Sequence, residues 1–154
     1  MINPIDKIFP FGSPLLKVEQ KNKTPKKAFV LGVYASAVHA KWIDVNGIIK
    51  VAALAVASEP EIFWCGKQID AQNIIGNIKI PKELGTLIPA SYSNNGPSGR
   101  ALDELILTPM GLDRKNTWLC DLIPYSLSNK NQIEKIKELY NPLIDLYNLP
   151  KPSI

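Results

Sequence analysis

The chain has 154 residues, 45% of them hydrophobic and 21% charged, with a formal net charge of +4; this is the make-up of one globular domain long enough to bury its own core. Its longest unbroken apolar run, Val51 to Ala57, is far too short to span a bilayer, so no membrane partner is expected. Two cysteines, Cys65 and Cys120, and the single histidine His39 supply neither a disulfide framework nor the ligand spacing of a metal site, and no metal or cofactor is expected.

The N-terminal string MINPIDKIFPFG has acid and proline where a signal peptide needs a basic end and an apolar centre, which points to the cytoplasm. Four prolines, Pro4, Pro10, Pro14 and Pro25, make residues 1–26 an irregular arm laid over a single domain of residues 1–154, with a short helix near Leu15 as an option. Lys17 to Lys27 carries five lysines against Glu19, a local charge equal to that of the whole chain. Such a cluster is either a solvated linker or a contact for phosphates through counterion release.

Lys27 to Val33 is apolar almost throughout, the pattern of a parallel strand covered on both faces. It runs into Tyr34-Ala35-Ser36-Ala37-Val38-His39-Ala40, read as the loop beyond the strand's carboxyl end, where open α/β sheets place their ligands. Asn46-Gly47 then separates two apolar runs and predicts a two-residue hairpin turn over 40–56, with both turn residues at positive φ. Glu59 to Gly66 reads as a bent aromatic segment, and 67–92 as mixed structure broken by Pro81 and Pro89.

Asn94-Asn95-Gly96-Pro97-Ser98-Gly99 reads as a turn, with Ser98 or Asn95 capping a helix through Leu102, Leu105 and Ile106 that stops near Pro109. Thr117 to Ile123 is a buried strand closed by Pro124, and Asp121 is an acid inside it. Ser128 or Asn129 opens a helix with Ile133, Ile136, Leu139 and Tyr140 on one face, and Asn141-Pro142 starts another. The expected fold is α/β, three-layer α/β/α with a short central parallel sheet in which Val30 and Leu119 are neighbours, plus the hairpin.

The succession Gly96-Pro97-Ser98-Gly99-Arg100-Ala101-Leu102-Asp103, Gly111-Leu112-Asp113-Arg114 and Trp118-Leu119-Cys120-Asp121-Leu122-Ile123-Pro124 resembles the uracil-DNA glycosylase superfamily, whose pattern is G-x-x-G-x-x-L-D, a helix, G-L-x-R and a strand ending in Asn. Gly32-Val33-Tyr34-Ala35-Ser36 falls where that superfamily keeps its first motif. The resemblance covers about half of the chain and departs from the pattern in four places. No carboxylate follows Gly32, Asp121 replaces the Asn, no His-Pro-Ser-like loop follows, and the iron-sulfur cysteines are missing. A truncated product or a relative without the chemistry is therefore one expectation.

The resemblance implies a DNA glycosylase-like hydrolase acting on a base extruded from DNA, or a catalytically silent nucleic-acid or nucleotide-binding relative. On that reading Asp121 is a catalytic candidate, and so is His39, the single histidine that a His-dependent mechanism would have to use; His39 is otherwise a surface or core hydrogen-bonder. The substrate-binding candidates are Gly32, Tyr34, Ala35, Ser36, Trp64, Ser98, Gly99 and Arg100: Tyr34 and Trp64 are either stacking platforms or core aromatics, and Ser98 to Arg100 at a helix start is either a phosphate site or a capped helix with Arg100 on the surface. Asp121 either reads a base edge or accepts backbone N–H groups; a carboxylate, unlike an amide, only accepts, which favours an edge with two donors. Ser36, His39 and Asp44 contain the members of a catalytic triad, but Ser36 lacks the glycines of a nucleophile elbow. If the sheet is half of a larger one, its free edge is expected to drive homodimerisation.

Overall fold

The computed structural model describes residues 7–153 of the chain. The part of the expected arm before Lys7, Pro4 included, lies outside them. The fold is α/β, built on two sheets. β1 (Ala28–Ala35) pairs in parallel with β5 (Thr117–Ser126), and β2 (Ala37–Ile43) lies between β3 (Ile49–Ser58) and β4 (Thr86–Pro89), antiparallel to both. Val30 sits opposite Leu119 and Gly32 opposite Asp121. Since side chains alternate across a strand, Val30, Gly32, Leu119 and Asp121 share one face of the pair and Phe29, Leu31, Trp118 and Cys120 the other.

The inner face is packed and the outer one is not. Val18, Ala35, Ile62, Leu102, Leu107 and Leu119 form a buried cluster beneath the parallel pair, with Val30 and Phe63 against it. Phe29, Leu31, Val33 and Leu122 are more than half exposed, so the apolar run over β1 does not mark a strand covered on both faces, as the pattern alone suggested. The same alternation leaves Cys120 on the uncovered face, half-buried rather than enclosed.

A second, larger cluster gathers β2 and β3 with Ala71 and Ile75 of α1 (Gln68–Gly76) and with Ile136 and Tyr140, which extend α3 (Lys130–Lys135) through a wider π-type turn. The arm enters this core instead of lying over it. Phe11 meets Trp42 and Tyr140 edge-on at ring centroid distances of 5.4 and 5.1 Å, and its backbone N–H donates to the Tyr140 hydroxyl at 3.0 Å. Further on, Val18 N–H donates to Pro124 O at 2.8 Å, and Leu119 N–H donates to the Gln20 side chain at 3.1 Å, which carries the lysine-rich segment along the outer edge of β5. The regular turn near the arm's start is Pro10–Gly12, not Leu15.

Local sequence accounts for most of the remaining joints. Asn129 caps α3 by accepting from Gln132 N–H at 2.9 Å, as its position promised. A short turn over Asn141–Leu143 then leads into α4 (Ile144–Tyr147). The β2–β3 connection is wider than a two-residue turn: only Gly47 has positive φ, and Asp44 Oδ1 accepts from Asn46 and Ile48 N–H at 2.9 Å each. The Asp44 side chain thus supplies the closure expected of Asn46. Pro89 ends β4, an edge strand, where a residue without an N–H is tolerated.

Candidate active site

β1 and β2 are separated by Ser36 alone, so the stretch 34–40 is strand rather than loop. The carboxyl ends of β1 and β5 nevertheless open onto a cavity of about 340 Å³, lined by Gly32, Val33, Tyr34, Ser36, Glu59, Phe63, Ser98, Gly99 and Asp121. Six residues singled out in the sequence meet there: Gly32, Tyr34, Ser36, Ser98, Gly99 and Asp121.

Asp121 reaches the cavity because period-two alternation turns it to the same face as Leu119, and it is 8% exposed. Its carboxylate lies over Gly32. An ideal Cβ on Gly32 would stand 2.2 Å from Asp121 Oδ1 and 2.8 Å from Phe63 Cζ, so the missing side chain is what admits both groups. Burial pushes the Asp121 carboxyl above its ordinary range.

Glu59 is a second acid at the cavity, one that the sequence did not single out as a site residue. It follows directly on β3, is 4% exposed, and reaches the cavity from a different strand. Its Oε2 accepts from Trp64 N–H at 3.4 Å, while Oε1 is buried without a hydrogen-bond partner among the described residues. Burial raises the Glu59 carboxyl to about 7, opposed by the Trp64 N–H and reinforced by the Asp121 charge; the Ser36 N–H and the Arg114 charge pull it back weakly. Two neighbouring acids held toward the neutral form, one of them titrating near neutrality, are a hallmark of acid–base sites.

Phe63 holds an unusual backbone, with φ of 49° in the left-handed region. Arg114 fixes it there: Nη2 donates to Phe63 O at 2.6 Å and Gly99 O at 3.3 Å, and Nη1 donates to Ile62 O at 3.0 Å. Asp103 orients the guanidinium from the other side, accepting from Nε at 2.9 Å and Nη2 at 3.1 Å. A Cβ on Gly99 would stand 2.2 Å from both Phe63 O and Trp64 O, so the first turn of α2 (Pro97–Ala101) lies directly on the 62–64 backbone. The Leu-Asp and Leu-Asp-Arg steps of the motif thus shape the aromatic segment of the cavity wall.

The other sequence candidates lie elsewhere. Trp64 is 1% exposed in the core, its Nε1 donating to Asp70 Oδ2 at 3.0 Å, and its neighbour Phe63 takes the cavity position in its place. Arg100 donates to the carbonyls of Cys65, Asn95 and Tyr92 at 2.9, 2.5 and 2.8 Å and stacks on the Tyr92 ring, so its guanidinium closes the loop instead of facing the cavity. Asn95 does not cap α2; Gly96 stands at that position, and the Asn95 amide pairs with both His39 N–H and His39 O, at 2.8 and 3.0 Å.

His39 and the buried Ala35 line an adjoining cavity of about 160 Å³ that shares Tyr34 and Ser36 with the first. Burial lowers the His39 imidazole below its ordinary value, and its Nδ1 is enclosed without a partner among the described residues. Ser36, His39 and Asp44 do not assemble as a triad, because Asp44 sits in the hairpin turn at the far end of β2. Glu59 and Phe63 carry no motif of their own: their signal was the Glu-Pro-Glu step after an apolar strand and an aromatic in an irregular segment. No family model, curated protein or solved structure matches this chain.

Proposed function

We propose that the chain is a glycosylase-like hydrolase that receives an extruded base of DNA in the cavity at the ends of β1 and β5. The observation that carries this reading is the pair of buried carboxylates, Glu59 and Asp121, on one cavity wall beside Phe63. Hydrolysis of an N-glycosidic bond needs a group that takes a proton from water and a negative charge facing the cationic sugar, and a carboxylate titrating near 7 serves both. In this scheme Glu59 accepts a proton from the water that attacks the sugar carbon. The carbon–nitrogen bond breaks with its electron pair leaving on the base, and Asp121 holds the base edge. Phe63 and Tyr34 offer aromatic surface to a flipped base. The lysines of 17–27, carried along β5, supply positive charge for the phosphate backbone.

One observation favours a second reading, a binding relative without catalysis. Among the described residues lining the cavity none is basic, so nothing there neutralises an anionic leaving base. Incubation with duplexes and single strands carrying uracil, hypoxanthine, xanthine or a mismatched guanine, scored for alkali-sensitive abasic sites, separates the two. Abasic product that disappears in Glu59→Gln supports hydrolysis. Salt-dependent DNA binding by the folded protein with no abasic product on any substrate overturns hydrolysis and leaves the binding module.

A further inference from the structure

The cavity wall is unbalanced in its hydrogen-bonding capacity. Asp121 and Glu59 are both more than nine-tenths buried, and among the described residues Glu59 Oε1 has no partner and neither acid faces a cationic side chain across the cavity. An ionised carboxylate only accepts, and burying one without donors is costly, so this wall is complete when an occupant supplies N–H groups. The remaining side-chain donors on the wall are the hydroxyls of Tyr34, Ser36 and Ser98, which accept as readily as they donate. The volume, about 340 Å³, lies in the range of small-molecule pockets, and Phe63 adds a flat apolar surface beside Asp121.

We infer that this cavity takes a planar heterocycle presenting two adjacent N–H donors, as the guanine edge does, in preference to uracil. The inference rests on the reading that the cavity receives a base, and not on its cleaving one. The two oxygens of one carboxylate match guanine N1–H and the N2 amine side by side. Uracil offers the single donor N3–H between two carbonyls, so whichever oxygen of Asp121 accepts, the other faces a carbonyl. Cytosine and adenine place a ring acceptor next to their exocyclic amine and meet the same mismatch. Hypoxanthine keeps N1–H without the amine and ranks between guanine and uracil.

The test is calorimetric titration of the full chain at pH 8 with guanosine, inosine and uridine, on the wild type and on Asp121→Asn. The expected order is guanosine, inosine, uridine, with guanosine at least about tenfold tighter than uridine, the discrimination a good bidentate pair gives. In Asp121→Asn the guanosine preference falls below about threefold, because an amide accepts from uracil N3–H and donates to its neighbouring carbonyl just as it does with guanine N1–H and O6. Equal or tighter uridine binding by the wild type, no nucleoside binding by the folded protein, or an undiminished guanosine preference in a folded Asp121→Asn overturns the inference. Should the variant not fold, the wild-type order decides alone. The guanosine order without abasic product would remove the hydrolase and keep this inference. Abasic product without that order would remove this inference and keep the hydrolase.

Discussion

Gly32 and Asp121 stand opposite each other in the parallel pair, and the Asp121 carboxylate occupies the space where a Gly32 side chain would begin, 2.2 Å from an ideal Cβ. Both atoms that a Cβ would meet, Asp121 Oδ1 and Phe63 Cζ, are far ends of side chains, so they can swing aside. Gly32→Ala is therefore expected to cost only about 1–2 kcal/mol in urea unfolding, within the range of mild overpacking. The same shift displaces the acid and the aromatic wall together. Nucleoside binding, or abasic-site formation where it occurs, falls at least about tenfold in the variant, a split between stability and function that a purely structural glycine would not produce.

Arg114 ties three segments together, through Ile62 and Phe63 O, Gly99 O and the Asp103 carboxylate. Its planar fork reaches all of them at once, which the point charge of a lysine cannot. Arg114→Met is expected to lose roughly 2–4 kcal/mol, the cost of several charge-assisted bonds in a partly buried site. Arg114→Lys restores less than half of that, and a full rescue by lysine in denaturant melts would show that charge alone, not the fork, holds Phe63.

Arg100 and the lysines of 17–27 are both cationic but are placed for different work. Arg100 donates to the carbonyls of Cys65, Asn95 and Tyr92, whereas Lys17 and Lys23 are more than half exposed and pair with Glu19 at 3.3 and 3.8 Å. Exposed pairs of that kind hold little energy and yield readily to a phosphate. Arg100→Gln is expected to lower the melting temperature and leave the salt dependence of DNA binding unchanged. Replacing Lys17, Lys21 and Lys23 by Gln does the reverse, flattening the slope of log affinity against log salt by up to about 0.9 for each phosphate that is no longer neutralised.

The strands legible in the sequence were those whose apolar runs are long and bounded: β1 and β5 pair with Val30 opposite Leu119, and the hairpin lies where Asn46-Gly47 put it. What an apolar run does not encode is how many of its faces are covered, and Phe29 and Leu31 are outside. The cavity was half legible. Motif spacing reached Gly32, Gly99 and Asp121, because backbone approach and strand alternation are local. Glu59 and Phe63 were hidden, since a side chain's arrival from a different strand, and a left-handed backbone imposed by Arg114 51 residues away, are tertiary facts. Parity was the other obstacle: Trp64 and Phe63 are adjacent, and one residue separates core from cavity.

The uncovered face of β1 and β5 is open to direct test. Leu31 is 56% exposed and Leu119, on the inner face one pair away, is 3% exposed. Leu31→Thr keeps β propensity and removes an exposed side chain, so its expected effect is within about 0.5 kcal/mol. Leu119→Ala opens a cavity in the packed cluster and is expected to lose about 2–5 kcal/mol. Equal losses in chemical denaturation would mean that both faces are buried in solution.

Glu59 gives the fold a pH dependence of definite sign. Its carboxyl is raised from 4.5 to about 7, chiefly by burial, so between those values the native state holds a proton that the unfolded chain has released. Stability therefore falls as pH rises from about 4.5 to about 7, by an amount on the order of 3 kcal/mol, and is flat above. Asp121, also raised by burial, adds a fall of the same sign, whereas His39, lowered by burial, adds a rise with pH as it loses its proton. Comparison with Glu59→Gln cancels those shared contributions. The variant should match the wild type near pH 4 and become progressively more stable than it up to pH 7.5. On the hydrolase reading, the wild-type rate of abasic-site formation climbs through the same interval as Glu59 ionises, and the variant loses that limb together with most of its activity. A stability gap between the two proteins that stays constant from pH 4 to 8 would mean that Glu59 ionises as an ordinary surface acid, and would remove it as the proton acceptor.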